Sequence, residues 1–159
     1  MRFLVALATL ASTVTAEPGK SIVTNLTPDP LYLWVVPDAW GSAIGSRVLV
    51  EAGGNWSEPF HVGRFGNSTI TTGVAIKLSK DPYGLYNSTP LQILGYALAG
   101  DRVWYNLDAV NGDPFKGRNV TVSSEGAGSI EWPNGEDIGD ATRDNAADKD
   151  VHLVISSKA

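Results

Sequence analysis

The sequence predicts an all-β protein, an antiparallel β-sandwich of about ten strands. Three observations carry this. Short apolar runs are separated by clusters of Gly, Pro, Asn and Asp. No stretch repeats apolar residues at helical spacing over three turns. Two runs, residues 91–98 and 102–107, flank Ala99-Gly100-Asp101, the spacing of a β-hairpin with a short glycine-containing turn.

The elements follow in order. Residues 20–26 form a strand ended by Thr27-Pro28-Asp29-Pro30, because proline cannot donate to a ladder. Residues 31–36 form the next, closed by Pro37-Asp38. Residues 47–51 run to the turn Gly53-Gly54, and residues 56–62 follow with Pro59 inside them. Residues 70–79 are rich in β-branched side chains and lead to the turn Asp81-Pro82-Tyr83-Gly84. The second arm of the hairpin carries Trp104 and Tyr105 and runs into an acidic loop, residues 108–117, a setting in which binding sites are often built. Residues 119–123, 129–132 and 151–156 complete the strands. Between the last two, residues 133–150 read as a long acidic solvated loop. Its acids lack the alternating order of a calcium loop, which leaves an irregular cation site as the lesser alternative.

Residues 1–16, MRFLVALATLASTVTA, read as a secretory signal peptide. Arg2 gives the positive start, residues 3–11 the apolar segment, and Val14-Thr15-Ala16 the small residues before cleavage. The apolar segment falls short of the roughly 20 residues that span a bilayer, so no membrane anchor is expected in the mature chain. Residues 17–159 are then a single domain. The formal charge of −5 disfavours nucleic acid, since no basic surface neutralises phosphates. The chain has no cysteine, which removes disulfides, thiol catalysis and cysteine-held metals. Five N-glycosylation sequons begin at Asn25, Asn55, Asn67, Asn87 and Asn119. Asn67, in a polar Gly-flanked stretch, is the best acceptor. Asn25 and Asn87 have Pro directly after the sequon and are expected to be used less efficiently.

The two histidines, His61 and His152, sit in no recognised catalytic signature. His152 alternates with Val151 and Leu153 and is expected to face solvent. No catalytic residue, metal or cofactor is assigned. Carboxylates are available at Asp108 and Asp113, and at Glu136 and Asp137. A glycoside hydrolase needs two of them roughly 5–10 Å apart across a cleft. Acids that cap turns are commoner, and Asp113 before Pro114 has a turn-initiating pattern. Among five tryptophans, Trp34 and Trp132 read as core, and Trp40 beside Gly41 as exposed. Trp56 and Trp104 favour core over ligand contact, but Trp104 leads into the acidic loop. Trp40, Trp104, Tyr105, Asp108 and Asp113 are therefore the candidate binding residues.

The order of motifs resembles the thaumatin-like superfamily, and within it the small fungal branch known as the Blastomyces yeast-phase-specific protein family. IVTNLTPDPLYLWVV, RVLVEAGGNWSEPF, GVAIKLSKDP, ILGYAL, VWYNLDAVNGDPFKG and IEWPNG follow in the family's order. VWYNLDAVNGDPFKG with the later WPNG is the specific part. The resemblance implies an antiparallel β-sandwich. Larger plant members carry an acidic cleft of one Arg, one Glu and several Asp, linked to β-glucan binding and antifungal action. The matching positions here are near Lys77 for the arginine, Gly95 for the glutamate, and Asn106 and Asn111 for two aspartates. A lysine keeps the charge without the planar fork, and the other three changes remove carboxylates. The cleft chemistry is thus not carried over, and the cysteines usual in the superfamily are missing as well.

Together these readings predict a secreted, glycosylated, non-enzymatic protein of the fungal surface or medium. Its expected partner is a cell-wall glycan or a host extracellular protein. The alternatives are a weak β-glucan hydrolase using loop carboxylates and a secreted effector or antigen.

Overall fold

A computed structural model of the chain describes residues 17–38, 43–64, 71–139 and 141–158. Among the described residues thirteen strands run in chain order: β1 (Lys20–Leu26), β2 (Leu31–Pro37), β3 (Val48–Val50), β4 (Asn55–Pro59), β5 (Gly63–Arg64), β6 (Thr71–Thr72), β7 (Val74–Ser79), β8 (Leu91–Ala99), β9 (Arg102–Val110), β10 (Arg118–Ser124), β11 (Gly128–Trp132), β12 (Thr142–Ala146) and β13 (Val151–Ser157). Among the described residues there is no helix.

Two sheets form the sandwich. One has the order β11-β10-β13-β1-β4, the other β12-β9-β8-β7-β2-β3, with β5 and β6 as a small separate pair. All pairings are antiparallel except β1 with β13, which are parallel. The first and last strands of the sandwich thus lie side by side in the middle of one sheet. Alternation along each strand decides what is buried. Val23, Val120, Val122, Leu153 and Ile155 from one sheet meet Leu33, Ile76, Leu94, Val103, Tyr105 and Leu107 from the other. Phe115 and Trp132 close one end of this core.

Asn25 belongs to that buried parity. Its side chain is 0 % exposed. Its Nδ2 donates to the carbonyls of Asp29, Val50 and Glu51 at 2.9, 3.2 and 3.1 Å. Its Oδ1 accepts from the Thr27 N–H at 3.1 Å and from Thr27 Oγ1 at 2.7 Å. One amide therefore ties the turn after β1 to the turn after β3. Asn25 alternates in phase with Ser21 and Val23 and faces inward.

Three expectations change. Residues 133–150 are not one loop, because β12 forms within them and pairs along β9 from Thr142↔Asn106 to Ala146↔Arg102. The run 70–79 is broken at Gly73, between β6 and β7. Trp34 is buried, but outside the central core. Leu33 and Val35 take the inward positions, and Trp34 is covered from the outer side by Tyr86, edge-on at 6.5 Å.

His152 lies on the outward face of the five-stranded sheet, with Nε2 2.7 Å from Thr24 Oγ1. Partial burial holds its pKa below the usual imidazole value of 6.5, against the pull of Asp150. The folded protein thus prefers neutral His152, and the unfolded chain binds more protons below that value. The associated stability is present above pH 6.5 and is lost as pH falls through the depressed folded pKa. Melting temperature should therefore be lower at about pH 5.5 than at about pH 7.5, and His152→Gln should flatten that difference. An unchanged difference in the variant would rule the assignment out.

Candidate functional site

The outward face of the six-stranded sheet carries a groove of about 500 Å³. Strand register lays it out in three rows. The middle row runs Val36, Ala75, Gly95, Asn106 and Thr142 across β2, β7, β8, β9 and β12. On one side lies the row Lys77, Ile93 and Asp108. On the other lie Gly73, Ala97 and Trp104, with Asp38 at the end of β2. The floor is low because its central residues are Ala75 and Gly95. A Cβ at Gly95 would run into Asn106 Oδ1, so the amide of Asn106 lies directly across the bare backbone of β8.

The walls are chemically mixed. Trp104 is 45 % exposed and offers its indole at one margin. Lys77 and the Asn106 amide make no side-chain hydrogen bond or ion pair among the described residues. Asp108 spends one carboxylate oxygen on the Ala109 N–H at 2.8 Å and keeps the other for the groove. Lys77 and Asp108 are separated by the intervening Ile93, about two strand spacings or roughly 10 Å between backbones, and they form no ion pair with each other. The site thus offers a cation, a carboxylate, an amide and an aromatic face, most of them unspent.

Of the sequence-nominated residues, Trp104 and Asp108 come together here. Trp104 is exposed, which corrects the leaning toward core. Tyr105 does not join them. It is 1 % exposed and faces the core, since neighbours on a strand point to opposite sides. Burial raises its phenol pKa, and its Oη has no hydrogen-bond partner among the described residues. Asp113 does not join them either. Asn111 and Gly112, both at positive φ (60° and 107°), turn the chain away after β9. Asp113 Oδ1 then accepts from the Asp137 N–H at 3.0 Å. Trp40 lies outside the described residues.

The segment that carries Asp113 is a structural joint. Gly117 N–H donates to the Asn134 carbonyl at 2.8 Å, Lys116 pairs with Glu136, and Gly135 packs on the Phe115 carbonyl. NGDPFKG and WPNG therefore interlock, so the most specific motif pair in the chain meets at a junction away from the groove. Lys77, Gly95 and Asn106, the positions matched to the cleft of larger thaumatin-like proteins, do line one groove; Asn111 stands apart in its turn. Sequence reasoning did not find Ala75 and Thr142, which only strand register brings to the site.

Two layered β-sheets with a groove on the outer side of one of them make the chain a β-sandwich binding-type scaffold rather than an α/β fold. The chain belongs to the Blastomyces yeast-phase-specific protein family, whose model matches residues 7–157. Among solved structures it is similar to the protein elicitor MoHrip2 from Magnaporthe oryzae. That match has 23 % identity and a TM-score of 0.66, and covers 87 % of this chain and 99 % of that one. It is also similar to the thaumatin-like xylanase inhibitor TLXI, with 9 % identity and a TM-score of 0.57, covering 85 % of this chain and 97 % of that one. No curated protein sequence matches the chain.

Proposed function

We propose that the protein acts outside the cell as a non-enzymatic binding protein that takes a wall polysaccharide along the groove. The observation that carries this reading is the groove's composition: an exposed indole beside a small-residue floor, with Lys77, Asn106 and Asp108 left for a ligand. A sugar ring presents an apolar C–H face and a rim of hydroxyls. An aromatic margin with a few convergent polar groups complements both. The leader-like residues 1–16 and the sequons support a secretory route. The structural neighbours, an elicitor and an enzyme inhibitor, support an extracellular role exercised without catalysis.

The hydrolase alternative has less support. Among the described residues, the acidic side chains lining the groove are Asp38 and Asp108. They stand three strands and four residues apart, on the order of 15–20 Å, beyond the widest spacing of about 9.5 Å for paired glycosidase carboxylates. Asp113 is engaged at the loop junction.

The test is a pull-down on insoluble β-glucan, chitin and mannan. Saturable binding to one polymer is expected. Trp104→Ala should weaken it about ten-fold or more, equivalent to roughly 1.4 kcal/mol, and Asp108→Asn should weaken it less. Asp113→Asn, outside the groove, should bind as the wild type does. Failure of the wild type to bind any of the three would sink the polysaccharide reading and favour a host extracellular protein as partner.

A further inference from the structure

The four described sequons divide into two pairs, and sequence and structure divide them the same way. Asn25-Leu-Thr27 and Asn87-Ser-Thr89 are each followed by proline, Pro28 and Pro90. In both, the fold uses the asparagine amide. Asn25 Nδ2 holds three backbone carbonyls in a fully buried position. Asn87 Nδ2 donates to Asp81 Oδ2 at 2.9 Å, while its Oδ1 accepts from Thr89 Oγ1 at 3.0 Å. Asn55-Trp-Ser57 and Asn119-Val-Thr121 are followed by Glu58 and Val122. Their amides are not needed by the fold. Asn55 makes no side-chain hydrogen bond among the described residues, and Asn119 Nδ2 has only a 3.4 Å approach to Thr121 Oγ1.

Asn55 and Asn119 also share a surface. Asn55 pairs with Thr24 and alternates with the inward Trp56, while Asn119 pairs with Ser156 and alternates with the buried Val120. Both point out from the five-stranded sheet, on strands three spacings apart, or roughly 14 Å. This is the face opposite the groove.

We propose that Asn55 and Asn119 are N-glycosylated, and that Pro28 and Pro90 keep glycan off Asn25 and Asn87, whose amides are hydrogen-bonded within the fold, Asn25 in a buried site and Asn87 at the surface. The inference rests on the secretory reading given above and adds which sites are modified. In the transfer, an asparagine Nδ2 forms a bond to the anomeric carbon of a lipid-pyrophosphate-linked oligosaccharide. The anomeric C–O bond breaks, the lipid pyrophosphate departs with the bonding electrons, and the amide loses one proton to the transferase. The nascent sequon must fold its hydroxyl residue back toward the asparagine. A proline directly after restricts that residue to extended backbone and opposes this geometry. A glycan added to Asn25 before folding would occupy the nitrogen that must later be buried against Asp29, Val50 and Glu51. The resulting molecule would carry sugar on one broad face and leave the groove bare. Asn67 lies outside the described residues and is not part of the proposal.

The experiment expresses the full chain, and a form with residues 1–16 replaced by an established secretion leader, in a glycosylating eukaryotic host. Enzymatic deglycosylation in heavy-oxygen water, then peptide mass spectrometry, marks each occupied asparagine. Label at Asn55 and Asn119, with Asn25 and Asn87 unmodified, is expected in secreted protein. Glycan on Asn25 or Asn87 of secreted folded protein would overturn the proposal, as would bare Asn55 and Asn119. If only the replaced leader gives secretion and the pattern holds, the secretory reading fails and the site assignment stands. Pro28→Ala should bring glycan onto Asn25 in retained chains and cut the secreted yield, yet fold when made in a bacterial cytoplasm. Normal secretion of that variant with bare Asn25 would overturn the guarding role of Pro28.

Discussion

Asn25→Asp should unfold most of the molecule at temperatures where the wild type is intact. The substitution keeps the shape and the Oδ1 that accepts from Thr27, but replaces the Nδ2 donor by a second oxygen. That oxygen would face the carbonyls of Asp29, Val50 and Glu51 with nothing to offer them. Three acceptors lose their shared donor, and a carboxyl in a fully buried site must either stay charged without a partner or take up a proton. Leaving buried polar groups unsatisfied costs about 1–3 kcal/mol each in the worst case, so a total of about 3–5 kcal/mol is expected. This is a large share of the roughly 5–15 kcal/mol by which domains are stable, and corresponds to a fall in melting temperature of roughly 10–20 °C. Thr27→Val is the comparison. It removes hydroxyl bonds to Asn25 Oδ1 and to the Asp29 carbonyl but leaves the amide in place, and should cost about 1–2 kcal/mol. Both variants are measured by denaturant unfolding of protein made without glycosylation, so that sugar plays no part. Equal losses in the two would mean that the amide does not hold the turns together.

Much of this architecture was legible in the chain, and the parts that were not have physical causes. Strands with one face in the core announce themselves by alternation, and β1, β9 and β13 do so plainly. β12 could not be found that way. TRDNA is an edge strand with no fully buried position, so neither face of it carries an apolar signature. Its place is fixed instead by ladder bonds to β9, by Arg102 pairing with Asp144, and by Asn145 Nδ2 reaching Ser124 Oγ at 2.8 Å. At the site, the separation of Trp104 from Tyr105 was available in principle. Val103, Tyr105 and Leu107 share one parity, Trp104, Asn106 and Asp108 the other, and the apolar set goes inward. The same logic places Asn25 with Val23 on the inward face. The floor of the groove was legible only in part. The family resemblance pointed to Gly95 and Asn106, but Ala75 and Thr142 come from two further strands, and only register makes them neighbours of that pair. The family motif misled in a different way. Its specificity is real, but it marks a junction that the fold must build, and Asp113 is used there rather than in the groove.

That junction supports the last expectation: Gly135→Ala should be among the most damaging one-carbon changes in the protein. Gly135 sits at φ +62°, where a side chain costs about 1–2 kcal/mol on backbone grounds alone. Its N–H closes the turn by donating to the Trp132 carbonyl at 2.9 Å. An added Cβ would lie 2.6 Å from the Phe115 carbonyl carbon and 3.2 Å from the Arg118 carbonyl oxygen. Both are backbone atoms with no rotamer to change, so relief must come by separating the two loops. Separation would pull on the Gly117–Asn134 bond and on Phe115 and Trp132, which close one end of the core. Overpacking of this kind costs about 1–3 kcal/mol beyond the backbone term, for a total of about 2–5 kcal/mol. Gly126→Ala isolates the backbone part. Gly126 also has positive φ, +85°, but a Cβ there meets nothing within 4 Å. It should lose only about 1–2 kcal/mol. The difference between the two variants in urea unfolding therefore measures the steric contact between the motif segments. Equal losses would show that WPNG and NGDPFKG are not pressed together as described, and that the glycine is there for its backbone angle alone.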